Sequence, residues 1–79
     1  MKTKYETVEF VEDSNFRWRC VRSKYSDLTL GYCGKRYSDG RRQWLYSSRD
    51  DVGYTSQCLL DIAAFLKQLN SKGESDGNT

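Results

Sequence analysis

LTLGYCGKRYSDGRRQWLY, residues 28–46, reads as two strands folded back on each other around Ser38, Asp39 and Gly40. Asp-Gly between alternating apolar residues is a strong hairpin signal, because both residues tolerate positive φ. Leu28, Leu30 and Tyr32 share one face of the first strand, and Arg41 to Ser48 forms the second. The length of the turn fixes which side chains are exposed, since a one-residue slip sends every side chain to the opposite face. With Asp39 and Gly40 as a two-residue turn, Cys33 faces Tyr46 and Lys35 faces Trp44. Both large aromatics then lie opposite Leu28, Leu30 and Tyr32, as a solvent-facing stacking platform. With a three-residue turn from Ser38 to Gly40, Tyr37 faces Arg41, Gly34 faces Trp44 and Tyr32 faces Tyr46. This second register gathers Leu30, Tyr32, Trp44 and Tyr46 on one side. At about 25 cal/mol per Å² of buried apolar surface it is the preferred one. It makes Trp18, Trp44 and Tyr46 core residues, and its other face displays Arg17, Arg19, Lys35, Tyr37, Arg41 and Gln43.

Upstream, Phe16 to Arg22 alternates, with Phe16, Trp18 and Cys20 pointing one way and Arg17, Arg19 and Val21 the other, as in a half-buried strand. Tyr5 to Val11 alternates more loosely and reads as a further strand, with Glu12 to Asn15 as a turn and Ser23 to Asp27 as a loop. Downstream, Thr55 or Ser56 can cap a helix whose apolar stripe is Cys58, Leu59, Ile62, Phe65, Leu66 and Leu69. Asn70 to Gly73 ends it. The expected fold class is α+β: a small antiparallel sheet of three to four strands in a meander, with one C-terminal helix packed on one face and the other face free. Residues 1–73 make a single small domain and 74–79 a disordered tail.

Charge is distributed unevenly along this frame. Between Asn15 and Arg49 stand nine Lys and Arg against Asp27 and Asp39, a local charge of +7, whereas the flanks 1–14 and 50–79 carry −2 and −3. The whole-chain value of +2 hides this asymmetry. Seven of the eleven aromatics fall in the same basic window. Guanidinium groups attract phosphates and flat rings stack on bases, so such a segment suits an anionic polymer. Arg17 and Arg19, two apart on a strand, stand about 7 Å apart, close to the spacing of successive phosphates, and Lys35, Tyr37 and Arg41 extend the patch. Arg36, Arg41 and Arg42 cluster at the hairpin tip, which can enter a groove of duplex DNA or RNA.

Enzymatic chemistry is not expected. The chain has no histidine, which removes the commonest general base and the Ser/His and Cys/His nucleophile pairs. Cys20, Cys33 and Cys58 lack the close-pair spacing of a zinc site and their odd number argues against a disulfide framework, so neither metal nor other cofactor is expected. Gly34-Lys35 resembles the end of a phosphate loop, but Thr29 stands where the first glycine is required and Arg36 replaces the Ser or Thr. Asp50 and Asp51 are adjacent, so their carboxylates diverge and make no acid and base pair. With no apolar run of about 18 residues and no apolar leader, the expected location is cytoplasmic and away from membranes.

Two functions fit these features. One is a small nucleic-acid-binding protein that takes DNA or RNA through Arg17, Arg19, Lys35, Arg36, Tyr37, Arg41 and Arg42. The other is a small accessory or inhibitor protein, of the kind phages and mobile elements encode, that docks the acidic surface of a protein partner. An unpaired edge strand leaves room for a homodimer in either case.

Overall fold

The computed structural model describes residues 1–13, 17–23 and 25–77, with 25–27 and 72–77 as backbone alone. Four strands, β1 (Val8–Asp13), β2 (Arg17–Arg22), β3 (Tyr25–Ser38) and β4 (Arg41–Ser48), precede one helix, α1 (Ser56–Gly77). The strands pair antiparallel in the order β1-β2-β3-β4, a meander with α1 on one face. The α+β class expected from the pattern is the one adopted. β1 starts three residues later than Tyr5 and α1 runs past Gly73. Phe16, expected in the core, and Lys24 lie outside the described residues, as do Asn78 and Thr79.

The β3–β4 turn corrects the preferred register. Ser38 pairs with Arg41, Lys35 with Trp44 and Cys33 with Tyr46, so Asp39 and Gly40 alone form the turn. Their φ values of 54° and 82° are both positive, as a two-residue type I′ turn requires, and its twist matches that of the strands. Trp44 and Tyr46 nevertheless reach the core, because the phase of β3 differs as well. Cys20 pairs with Gly31 but Val21 with Thr29, which leaves Leu30 as an extra residue in a bulge. The bulge turns Leu30 into the core, leaves Leu28 exposed and puts Tyr32 on the open face, so these three do not share a side. Gly31 and Cys33 are the core-facing positions of β3. Gly31 lies over Tyr46, and a Cβ there would strike the Tyr46 hydroxyl and the Ser47 carbonyl.

Phe65 of α1 sits at the centre of the core. It stacks on Phe10 of β1 at 3.9 Å between centroids and meets Trp18 of β2 edge-on at 5.4 Å. Val8, Cys20, Leu30, Cys33, Cys58, Ile62 and Leu69 complete the buried cluster, and Trp18, Trp44 and Tyr46 pack against it half-buried. The Leu30 carbonyl accepts from the Arg49 amide at 3.0 Å, extending the β3–β4 pairing, and from the Tyr54 hydroxyl at 2.9 Å. The Tyr54 hydroxyl is 2.7 Å from that of Tyr46, so a half-buried polar relay supports the bulge. Burial, with the Tyr54 hydrogen bond, pushes the Tyr46 hydroxyl's pKa well up. Burial likewise raises the Cys20 and Cys33 thiols to about 12.

Polar side chains of α1 hold the β4 edge and the segment that precedes β1. Thr55 caps its start by accepting from the Cys58 amide at 3.1 Å. Asp61, buried, accepts from the Thr7 amide (2.9 Å) and hydroxyl (2.6 Å) through Oδ2 and from Gln57 (2.9 Å) through Oδ1. Burial opposes its charge, but these three hydrogen bonds and nearby Lys2 outweigh it and hold the carboxyl below its ordinary pKa. Gln68 both donates to and accepts from the backbone of Lys2, and Asn70 does the same for Trp44. The Asn70 carboxamide thus replaces the strand neighbour that the β4 edge lacks at Trp44, and Gln68 ties down the segment before β1.

Candidate nucleic-acid interface

The expected basic face divides into three sets. On the open side of the sheet, Arg17 and Arg19 of β2 stand beside Tyr32 of β3, as expected of the two arginines. They are not idle there. Arg17 Nε donates to Asp13 at 2.8 Å, and its guanidinium lies 3.9 Å over the ring of Tyr32. Arg19 donates to the Thr29 hydroxyl at 3.1 Å. Asp13, expected in a turn after Val11, instead ends β1 facing Arg17 across the β1–β2 pair and supplies a counter-charge. Ion pairing and stacking fix Arg17 in place and cancel much of its field.

The second and third sets belong to the far end of the β3–β4 ribbon. Arg36 faces Gln43 and Ser38 faces Arg41 on the open side, whereas Lys35 faces Trp44 and Tyr37 faces Arg42 on the helix side. Lys35 and Tyr37 were expected beside Arg17; the phase of β3, shifted at the Leu30 bulge, puts them on the opposite face. Lys35, Arg36, Arg41 and Arg42 are all exposed, and Tyr37 is 74% exposed. Asp39 is the only acid within this end, so it carries a local charge of +3. The ribbon end is therefore basic on both faces instead of one.

The stacking groups are elsewhere. Trp18, Trp44 and Tyr46 pack on the helix side, and Arg17 covers Tyr32. Tyr37 is the one ring among the described side chains left largely uncovered. Sequence periodicity also missed the outward side of α1. Leu59, placed in the apolar stripe, is 54% exposed, next to Leu60 at 62%. Cys58, Ile62, Phe65 and Leu69 already span the width of contact with the sheet, and Leu59 lies one residue outside it.

Among the described residues no group of His, Cys, Asp and Glu could hold a metal ion, and no helix is long and apolar enough to cross a membrane. Neither family models, nor curated proteins, nor solved structures give a match to this chain.

Proposed function

We propose that this chain is a small nucleic-acid-binding protein that takes phosphates at the basic end of the β3–β4 ribbon. The supporting observation is the concentration of Lys35, Arg36, Arg41 and Arg42, all exposed, around the single acid Asp39. Long cationic side chains at the tip of a narrow two-stranded element gain favourable contact with a polyanion at small desolvation cost. Arg17 and Arg19 form a flank of the site, already ordered by Asp13, Tyr32 and Thr29. A second copy pairing at the β4 edge would have to displace Asn70 from Trp44. Three buried free thiols suit a reducing compartment such as the cytoplasm.

Fluorescence anisotropy with labelled oligonucleotides at low ionic strength tests this reading. Affinity should fall linearly on a log–log salt plot. Substituting Arg36 and Arg42 together by Ala should flatten the slope by about two units, and Arg17→Ala by less than one, because Asp13 already neutralises Arg17.

The second reading, an accessory protein docked on an acidic protein surface, draws on the Tyr37 and Arg42 pair. These two face each other on one side of the ribbon, and Tyr and Arg are what protein interfaces concentrate at their centres. Failure of every oligonucleotide to bind at low salt would leave this reading standing and remove the first.

A further inference from the structure

We infer that the polymer is duplex DNA, entered through its major groove by the ribbon end, and not a single strand laid across the sheet. The inference rests on the polyanion reading above and names the substrate of that same site.

Single-strand binders pair a basic track with a succession of open aromatic faces on which bases stack. This sheet offers no such succession among its described side chains. Trp18, Trp44 and Tyr46 are turned to α1, and the Tyr46 hydroxyl is engaged by Tyr54. Tyr32 is the ring that faces the open side, and it is capped at 3.9 Å by a guanidinium that Asp13 holds in place. A base could stack on that face of Tyr32 only by displacing the Arg17 guanidinium from it. Tyr37 alone can stack one base, and one ring makes no platform.

The ribbon end has the complementary property. A groove presents phosphates on two walls, and an element entering it is attracted to both only when it is charged on both faces. Arg36 and Arg41 lie on one face of this ribbon and Lys35 and Arg42 on the other, two cations each. A two-residue turn with positive φ at Asp39 and Gly40 makes the narrowest tip a hairpin can have. The major groove of B-DNA, about 12 Å wide, admits a two-stranded ribbon, whereas that of A-form RNA is too deep and narrow for side chains to read. The single acid at the tip fits this placement too. Asp39 would meet base edges instead of phosphates there, and a carboxylate accepts from the amino group of cytosine.

The test compares three probes of one random sequence at about 50 mM salt: a DNA duplex, its separate strands, and the RNA duplex. The DNA duplex should bind roughly tenfold or more tighter than either alternative. Four phosphates neutralised give a log–log slope of about −3.6, a loss of roughly a hundredfold between 50 and 200 mM salt. With 5-iodouracil replacing thymine, which sets the iodine in the major groove, ultraviolet crosslinks should fall on residues 35–42. Equal or tighter binding of single strands or RNA duplex overturns the duplex-DNA inference and leaves the polyanion reading intact. Crosslinks on Arg17, Arg19 or Tyr32 instead overturn the ribbon as the entering element. No binding to any of the three probes overturns both readings at once.

Discussion

The two ends of the β3–β4 hairpin share strands and backbone pairing but differ in what their side chains do. Near the bulge, Leu30, Gly31, Cys33 and Tyr46 are locked between α1 and the Tyr54 relay. Beyond Trp44 the same two strands carry exposed Lys, Arg and Tyr around an Asp-Gly turn. The contrast separates stability from recognition. In the body, Arg17 and Arg19 could meet a ligand only by giving up contacts to Asp13, Tyr32 and Thr29, whereas the cations of the ribbon end are exposed. Substitutions in the two regions should therefore fall into distinct classes.

The largest effect is expected at Phe65. Phe65→Ala removes the ring that joins Phe10, Trp18 and Tyr5, which should cost about 3–5 kcal/mol in urea unfolding. For a domain this small that is a large part of the whole stability. A loss below about 1 kcal/mol would break the contrast, because the body would then not depend on the helix.

Next comes Asp61. Asp61→Asn keeps the shape but removes the charge that accepts from Thr7 and Gln57, and should cost about 1–3 kcal/mol near neutral pH. The pH dependence has a fixed sign. Because the folded carboxyl titrates below its ordinary value of 3.8, its contribution is full above that value and is lost as pH falls through the lower folded pKa. The wild-type protein should therefore lose stability on acidification more steeply than Asp61→Asn. Parallel acid limbs in thermal melts of the two would show that the carboxylate is not the clamp.

Asn70→Ala is a smaller perturbation of about 1 kcal/mol, localised at the edge of β4. It frees the amide and carbonyl of Trp44, so hydrogen exchange at that amide should accelerate while amides near the bulge keep their protection. Uniform acceleration would mean that the edge and the body open together.

The meander, the C-terminal helix and the basic window follow from period-two alternation, a capped apolar stripe and a charge count. The register of β3 on β4 shows where pattern reasoning fails. Summing apolar area favours a three-residue turn only if Leu28, Leu30 and Tyr32 alternate without interruption, and the bulge at Leu30 interrupts them. The Asp-Gly dipeptide carries the right turn length in its own backbone preference, which no downstream area can outweigh. Trp44 and Tyr46 reach the core because the turn and the phase of β3 are both displaced, and the two shifts cancel. The basic residues were legible as a cluster, but not as two classes. That Arg17 is held by Asp13 and Tyr32 depends on β1 lying beside β2 in a register that only tertiary structure sets.

The smallest expected effect on stability is the most informative. Arg36 and Arg42 are exposed on opposite faces of the ribbon, opposite Gln43 and Tyr37. Replacing both by Ala should leave the unfolding free energy within about 0.5 kcal/mol of wild type. Removing two positive charges from a cluster of like sign can even raise it slightly, since self-repulsion falls. The same double substitution is the one expected to flatten the salt dependence of nucleic-acid binding most. A stability loss of about 2 kcal/mol or more would mean that these arginines hold the ribbon in shape, and their exposure would then reflect folding and not recognition.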